Sequence, residues 1–347
     1  MGVFSPRVRH RTERLVAMRP RDFLHKDAAT PLNEHFVAAG AVCRFSTNSE
    51  PLLEAAHASF VAVTPTSAVD FSVRFWVDEG RSSQPPWPKP YVRGLDHLVF
   101  AGFDSGSSML ADLRTRRVIG RFSAAMAADP KHWSMVVFPM LTSIVAGTVG
   151  LVELHSSCVS IEGGGLLLMG PSRSGKSTLA KALSDAGCGW LSDDRVFCSL
   201  NEGKLRAWGL PRPLKLRREA GRWFDDYRDL EPTDVQNGER VFHCAPQRLE
   251  QQHVRECEPR LLVCLDRQER DEFALMPIER SEMQRRIEGE LLAEDREAVR
   301  KQAEVIEHLL SLPCRILRYG GRPQVIAQRL VGAFLDGSDG GVTGGTA

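Results

Sequence analysis

The alternation of apolar and polar residues changes character along the chain. Between residue 36 and about residue 128, short alternating runs predict strands, namely AVCRFST, DFSVRFWVDE and HLVFAGFD. The run EPLLEAAHASF has apolar residues at helical spacing and predicts a helix, whereas the proline-rich run SSQPPWPKP predicts a surface loop. Residues 36–128 are therefore predicted to form a small α+β domain.

A long apolar run follows, from Met135 to Leu154, in which Glu153 is the single charged residue. A membrane-spanning helix needs about 20 mainly apolar residues, so this run is the candidate for a span. Pro139 and several glycine and hydroxyl residues weaken that interpretation. We expect instead a buried helix over about residues 130–147, a turn at Gly147, and no membrane partner.

The next segment has the pattern of a hairpin that leads into a glycine-rich loop and a helix. The run CVSIEGGGLLLMG predicts two buried strands joined by a turn at Gly163–Gly165. The run KSTLAKALSDAG predicts an amphipathic helix that stops at Gly187. Between them, GPSRSGKS satisfies the pattern GxxxxGK[ST] at every fixed position, in the strand–loop–helix context that the pattern requires.

A loop of this kind binds the phosphates of a nucleotide. Its glycines let backbone N–H groups curl around phosphate oxygens, and the N-terminus of the helix adds positive potential. Lys176 is expected to reach the β and γ phosphates, and the Ser177 hydroxyl to bind Mg²⁺. We therefore predict ATP and Mg²⁺ as cofactors. The predicted phosphate-binding residues are Gly170, Pro171, Ser172, Arg173, Ser174, Gly175, Lys176, Ser177 and Thr178.

Two candidate acidic sites follow the loop. The run CGWLSDDRV places Asp193 and Asp194 at the end of a short apolar strand, where one carboxylate could hold magnesium and the other could accept a proton from a hydroxyl. A solvated Asp-Asp turn is the alternative. Asp266, at the end of the apolar run RLLVCLDRQ, has the position of a Walker B aspartate. If Asp266 were the metal ligand, a generic P-loop ATPase would be the better interpretation.

From His155 to Val196 the chain resembles the catalytic core of HPr kinase/phosphorylase, a family of bacterial P-loop serine kinases. The resemblance begins with a histidine that precedes the first loop glycine by fifteen residues. It continues through the loop Gly-x-Ser-x-x-Gly-Lys-Ser, a helix that ends in Gly187, and the pair Asp193 and Asp194 followed by Arg-Val.

The resemblance implies an α/β fold: a P-loop kinase domain of the HPr kinase/PEP carboxykinase type with a mixed sheet, over residues 129–335, beside the smaller N-terminal α+β domain. It implies that Asp194 accepts the proton of a serine hydroxyl and that His155 is an active-site histidine. It also implies that Lys176 is the phosphate lysine, that Ser177 is a magnesium ligand and that Asp193 is a water-mediated metal partner. The implied activity is transfer of the ATP γ-phosphoryl group to a hydroxyl of a protein, a peptide or a small molecule.

The chain also departs from the family. The family continues with Glu-x-Arg-Gly-Leu-Gly, whose glutamate binds magnesium, whereas this chain has RAWGLP, with Arg206 and Trp208 at the glutamate and arginine positions. The metal site is therefore expected to be weaker or completed elsewhere, and neither phosphorylase activity nor HPr as acceptor is expected. Two other functions stay open: a P-loop ATPase that drives a conformational step, and a nucleotide-binding regulatory protein without turnover.

Composition and charge indicate which classes of partner are expected. A balance of 45 basic and 44 acidic residues does not favour nucleic acid or a membrane surface as partner. Eight cysteines without a CxxC pair indicate a reduced, cytoplasmic protein. The cluster His243, Cys244, His253 and Cys257 fits no common zinc spacing and is not expected to bind metal. Homo-oligomer formation is left open.

Three further segments are defined by composition. Residues 1–35 are predicted to form a flexible basic arm, and residues 336–347 a disordered glycine-rich tail. A basic run follows Trp208 and is either a clamp for a phosphate or an acidic acceptor, or a solvated helix face. Its members are Arg212, Lys215, Arg217, Arg218 and Arg222.

Overall fold

The structure, a computed structural model, describes residues 29–66, 68–78, 83–210, 212–227, 230–234, 240–243, 253–288 and 296–337. Most of the predicted arm (residues 1–35) and most of the predicted tail (residues 336–347) lie outside the described residues, as does Cys244. The described chain is a mixed α/β protein with two large sheets and one small sheet.

The first sheet has eight strands in the order β3-β1-β2-β4-β8-β7-β6-β5. The β2/β4 and β4/β8 pairs are parallel, and the remaining pairs are antiparallel. Its strands are β1 Leu32–Ala38, β2 Ala41–Thr47, β3 Val61–Val63, β4 Phe71–Asp78, β5 Tyr91–Leu95, β6 Leu98–Gly102, β7 Ser108–Asp112 and β8 Arg117–Ser123. The strands and the helix predicted from the pattern of residues 36–128 are confirmed. That helix, α1 Glu50–Ser59, begins where the Ser49 hydroxyl accepts a hydrogen bond from the Leu52 amide.

The long apolar run forms a helix that packs on this first sheet. After a short helix, α2 Ala124–Ala127, helix α3 extends over Pro130–Val149, with a π-helical turn at Trp133–Val137. By length and apolar composition, α3 is the one helix of the described residues that could cross a membrane. Its Trp133 and Phe138 are buried and pack against aromatic side chains of the first sheet.

The bounds of α3 bear on two predictions. The helix does not turn at Gly147 but continues to Val149, because Gly150 at φ 82° is the first residue to take the left-handed conformation that ends it. The domain boundary at residues 128 and 129 stays a prediction. The core of the first sheet extends across it, since α3 contributes to that core.

The second sheet has nine strands and carries the glycine-rich loop. Seven strands follow the order β12-β10-β11-β18-β14-β13-β9, and β20 pairs with β18 and with β19. Its strands are β9 Val152–Leu154, β10 Ser156–Ile161, β11 Gly164–Met169, β12 Gly189–Ser192, β13 Val196–Asn201, β14 Lys204–Gly209, β18 Glu256–Arg267, β19 Phe273–Pro277 and β20 Cys314–Tyr319. Helices α4 Lys176–Asp185 and α8 Pro323–Leu335 cover one face. Helices α6 Arg280–Glu288 and α7 Arg296–Ser311 cover the other.

The predicted hairpin is present as the antiparallel pair β10/β11. Its turn is not the three glycines but Glu162 and Gly163, at φ 49° and 82°, as a two-residue hairpin turn of the primed type requires. Gly164 and Gly165 lie in β11 instead. A Cβ on Gly165 would lie 2.7 Å from the Cys257 sulfur, so the neighbouring strand requires a glycine there.

A small sheet, β15 Lys215–Arg217, β16 Thr233–Asp234 and β17 Arg240–His243, lies beside α4. With α5 Arg218–Gly221 it contributes buried apolar residues, including Leu216 and Phe242, to the same core as the apolar face of α4. This packing holds the small sheet beside α4, the helix that follows the glycine-rich loop.

Candidate active site

Three chain segments meet at one edge of the second sheet. Strands β11 and β12 are both antiparallel to β10, so they run in the same direction and end at the same edge, where β10 begins. The glycine-rich loop follows β11, the pair Asp193 and Asp194 follows β12, and His155 immediately precedes β10. The strand pairing thus brings together three groups of residues that are separated in sequence.

Two glycines fix the backbone conformation of the loop. Gly170 and Gly175 adopt φ values of 146° and 93°, which disfavour a residue with a side chain. A Cβ on Gly175 would lie 2.3 Å from the Tyr319 hydroxyl, and one on Gly170 would lie 2.8 Å from the Ser174 hydroxyl. The N-terminus of α4 has no side-chain cap, so its first amides are suited to an anion.

Two side chains hold this loop in shape. The Lys176 ammonium donates to the carbonyl oxygens of Gly170 at 2.6 Å and Pro171 at 3.3 Å. The Tyr319 hydroxyl, from the end of β20, donates to the Ser174 carbonyl at 2.6 Å. Burial raises the pKa of Tyr319 to about 12, so the phenol keeps the proton that it donates.

Asp193 joins the loop to the strand beside it. Its Oδ1 accepts hydrogen bonds from the Ser177 hydroxyl at 2.9 Å and from the Ser157 hydroxyl at 2.7 Å. Its Oδ2 lies 3.5 Å from the Lys215 amide nitrogen, which donates to it. Burial raises the pKa of Asp193, and the bonds from the two serines oppose that rise. The Ser177 hydroxyl and the Asp193 carboxylate are oxygen donors of the kind that Mg²⁺ prefers in proteins.

Asp194 is the accessible member of the pair. Its φ of 75° lies in the left-handed region, which is uncommon for a residue with a side chain and recurs at functional sites. The side chain is 51% exposed, and its two oxygens contact different basic side chains. His155 Nε2 is 3.4 Å from Oδ1, and Arg212 Nη1 is 4.0 Å from Oδ2. Asp194 is thus held in place and still open to solvent.

Asp266, the competing magnesium ligand, lies elsewhere. In β18, Leu265 packs in the core under α4, whereas Cys264 packs on the opposite face, under α6. Because side chains alternate along a strand, Asp266 lies on the face of Cys264 rather than on the face of α4. Its Oδ2 is 3.4 Å from Arg318 Nε, and the side chain is 46% exposed. The Ser177 hydroxyl bonds to Asp193 instead.

A cavity of about 1620 Å³ opens at this edge. Its walls include the loop, both aspartates and His155 on one side and part of α3 on the other. A site for one drug-sized ligand occupies roughly 300 to 1,000 Å³, so there is room for a nucleotide and a second molecule. The cavity continues past Arg173 into a smaller one of about 550 Å³, where Arg222 stacks on Trp223 with 4.8 Å between the guanidinium carbon and the ring centre.

The cavity is far more basic than the chain. Ten lysine and arginine side chains line it, against four aspartate and glutamate side chains. Four of the five residues of the basic run are among them, and the exception, Arg218, is exposed outside the cavity. Burial lowers the pKa values of Arg212 and Lys215, and the charge of Arg212 lowers that of Lys215 further.

The two positions at which the chain departs from the resembling family lie outside this site. Trp208, at the family's arginine position, packs against Gly40 of the first sheet, and its indole donates to the Ser199 hydroxyl at 3.1 Å. Arg206 pairs with Ser199 across β13 and β14. Among the described residues, no group of three or more histidines, cysteines or acidic residues is placed to hold a metal ion.

Some residues of the site were not singled out from the sequence. Ser157 bonds to Asp193 but gives no local signal, because the contact depends on how β10 and β12 pair. Lys131 and His132 come from α3, a helix that the pattern identifies only as apolar and buried. Arg195 also lines the cavity, and its guanidinium contacts Glu153 at 2.5 Å. The sequence marked Arg195 only as the residue that follows the Asp-Asp pair in the resemblance.

Comparison with known proteins adds little to this geometry. No family model matches the chain, and no curated protein sequence matches it. Among solved structures, the HPr(Ser) kinase/phosphatase from Coxiella burnetii is similar at 14% identity, over 53% of this chain and 91% of that chain, with a TM-score of 0.29. A likeness of that extent does not support a conclusion about function, so the function must be inferred from the residues of the site.

Proposed function

We propose that this protein is a P-loop kinase that transfers the γ-phosphoryl group of ATP to a hydroxyl group, with serine as the preferred acceptor. One observation carries the proposal. The Ser177 hydroxyl, at the start of the loop helix, bonds at 2.9 Å to Asp193, and the next residue, Asp194, presents a half-exposed carboxylate to the same cavity. A loop that holds phosphate, an oxygen donor set for a metal and an accessible base are the parts that phosphoryl transfer needs.

The binding step uses the loop and Lys176. Backbone amides of residues 170–177 and the N-terminus of α4 would hold the β and γ phosphates, and the Lys176 ammonium would exchange its bonds to loop carbonyls for phosphate oxygens. Ser177 and Asp193 would hold magnesium, which draws negative charge from the phosphates. The Ser177 hydroxyl and the Asp193 carboxylate lie close together, as ligands of one Mg²⁺ ion must. The glutamate that binds magnesium in the HPr kinase/phosphorylase family is replaced in this chain by Arg206.

The transfer step uses Asp194. The acceptor hydroxyl oxygen forms a bond to the γ-phosphorus while the bond between that phosphorus and the bridging oxygen of ADP breaks. The hydroxyl proton passes to the Asp194 carboxylate. His155 and Arg212, at 3.4 Å and 4.0 Å from its two oxygens, orient this carboxylate towards the cavity.

The first sheet and α3 are proposed to position the acceptor. The cavity wall opposite the loop includes Val92 and Val99 from the first sheet and Lys131 from α3. The acceptor would therefore be bound between the two sheets. A cytoplasmic location and the predicted domain bounds remain proposals.

The fate of labelled phosphate tests the function. The protein is incubated with γ-labelled ATP, Mg²⁺ and a pool of serine-containing peptides, and label is followed into peptide and into free phosphate. Transfer to peptide that is lost in Lys176→Ala supports the kinase. Release of free phosphate at a rate independent of peptide supports the ATPase, and binding without turnover supports the regulatory protein.

A further inference from the structure

A cluster of basic side chains lies next to the proposed catalytic carboxylate. We call Arg212, Lys215, His243 and Lys131 the basic wall, since all four line the cavity. Lys215 on β15 and His243 on β17 are direct cross-strand partners, so their side chains are neighbours. Lys131 comes from the first turn of α3, and Arg212 precedes β15. The wall therefore combines segments that pack on different sheets.

Arg212 connects the wall to Asp194. Its Nη1 lies 4.0 Å from Asp194 Oδ2, and its Nη2 donates to the Met135 carbonyl of α3 at 3.2 Å. The side chain is only 11% exposed, and its Nε has no hydrogen-bond partner among the described residues. A buried guanidinium with an unused donor favours a further acceptor of hydrogen bonds.

Arg212, Lys215 and Lys131 carry the positive charge of the wall, and protein groups neutralise it only in part. Burial lowers the pKa of His243, and so do the nearby charges of Lys215, Lys131 and Arg212. Two acidic residues of the cavity also bind groups outside the wall. Asp129 accepts bonds from the Trp87 indole at 2.7 Å and from the His132 amide at 3.0 Å, and Asp194 is shared with His155.

The wall lies on the acceptor side rather than on the nucleotide side. The Arg212 side chain contacts Asp194, the proposed base, and bonds to the Met135 carbonyl, whereas Lys176 bonds to the loop carbonyls. A hydroxyl that gives its proton to Asp194 must lie within hydrogen-bond reach of it. Any group attached close to that hydroxyl then meets Arg212 and its neighbours.

We propose that the basic wall selects an acceptor that carries an anionic group, a carboxylate or a phosphate, close to its reactive hydroxyl. Arg212 and Lys215 donate charge-assisted hydrogen bonds to that group, and Lys131 extends the positive surface along the acceptor, with the His243 imidazole beside Lys215. The inference rests on the proposed function, because it names the acceptor class of the same site.

Binding of small probes tests the inference. Ligand-observed NMR measures the affinity of N-acetylserine, which carries a carboxylate, of glycerol 3-phosphate, which carries a phosphate, and of neutral N-acetylserinamide. Each probe is titrated into the protein with and without the non-hydrolysable ATP analogue AMP-PNP and Mg²⁺. The variants are Lys215→Gln and Lys131→Gln, and Lys131 is exposed, so its replacement leaves the fold intact. The matched control is Arg218→Gln, a basic residue of the same segment that is exposed outside the cavity.

We expect at least one anionic probe to bind about 10-fold or more tightly than the amide, because a charge-assisted bond is worth roughly a factor of ten or more. Lys215→Gln should remove most of that preference and Lys131→Gln part of it, while Arg218→Gln keeps it. Which anionic probe is preferred distinguishes a carboxylate acceptor from a phosphate acceptor. Equal binding of all three probes would overturn the inference, as would a preference that survives Lys215→Gln.

The nucleotide titration separates this inference from the kinase proposal. If the wall served the nucleotide instead, Lys215→Gln would weaken AMP-PNP binding as much as probe binding, and the inference would be wrong. If AMP-PNP did not bind the wild-type protein, the kinase proposal would fail. The probe preference measured without nucleotide would still show whether the wall binds an anionic group.

Discussion

Replacing Asp194 by asparagine removes the proposed base while keeping the local backbone. Asp194 has a φ of 75°, a conformation that asparagine tolerates much better than alanine does. Its contact with His155 is about half exposed on both sides, at 52% and 51%, and such contacts contribute about 1 kcal/mol or less. Its other partner, Arg212, is only 11% exposed and loses a neighbouring negative charge, so Asp194→Asn should fold with a modest loss of stability. Asp194→Ala should lose roughly a further 1 kcal/mol to backbone strain.

The effect on transfer should be much larger than the effect on folding. Loss of a general base lowers a rate by about 10² to 10⁴, which corresponds to roughly 3 to 5 kcal/mol in the barrier. The phosphate cradle does not include Asp194, so ATP should bind Asp194→Asn nearly as tightly as it binds the wild type. Single-turnover transfer from γ-labelled ATP at saturating ATP and Mg²⁺ measures the rate, and calorimetry measures ATP affinity.

Asp266→Asn is the matched control for this experiment. Asp266 is a similarly exposed aspartate near the same sheet edge and has its own arginine partner, Arg318, at 3.4 Å. Transfer by Asp266→Asn should stay within about 3-fold of the wild type. If Asp194→Asn transfers at the wild-type rate, or if Asp266→Asn loses as much as Asp194→Asn, the assignment of the base is refuted.

Four further predictions concern the loop and the first core. Lys176→Ala should abolish ATP binding, measured by calorimetry, while circular dichroism shows an unchanged fold, and undiminished affinity would refute the loop assignment. Asp193→Asn should raise the Mg²⁺ concentration for half-maximal activity about 10-fold, since it replaces one charged oxygen ligand; an unchanged requirement would place the metal elsewhere. Gly175→Ala should lower the thermal midpoint and ATP affinity together, because the left-handed φ of 93° and the contact of 2.3 Å with Tyr319 both exclude a Cβ. Burial lowers the pKa of His132, so the unfolded chain takes up a proton below about pH 6.5 that the folded protein resists. The thermal midpoint should therefore fall between pH 7.5 and pH 5, and it should fall less in His132→Gln.

The sequence predicts local parts of the fold well. The hairpin, the loop and its helix follow from apolar runs and glycines that act within a few residues, and the structure has them at residues 156–185. The exact turn was not predicted, because three consecutive glycines do not show which of them the neighbouring strand needs. Gly165 lies in the strand since the Cys257 sulfur leaves no room for a side chain there.

The choice between the two candidate carboxylates depends on long-range order. Asp193 and Asp266 both follow apolar strands, so their local patterns are equivalent. The pairing of β12 with β10 brings Asp193 to Ser157 and Ser177, and the alternation of β18 turns Asp266 to the other face. The basic wall was predicted only in part. The basic run offered Arg212 and Lys215 as a clamp, whereas Lys131, 81 residues before Arg212, gave no signal, because it lines the same cavity only through the packing of α3.

The most direct test of the proposed transfer is the identity of the phosphorus product. Phosphorus NMR follows ATP and Mg²⁺ with the wild-type protein and a library of seryl peptides, some of which carry a free carboxylate or a phosphate next to the serine. The proposed kinase predicts one phosphomonoester for each ADP formed, with the peptides that carry an anionic group consumed first. Orthophosphate in a one-to-one ratio with ADP, at a rate that the peptides do not change, would contradict transfer to a hydroxyl.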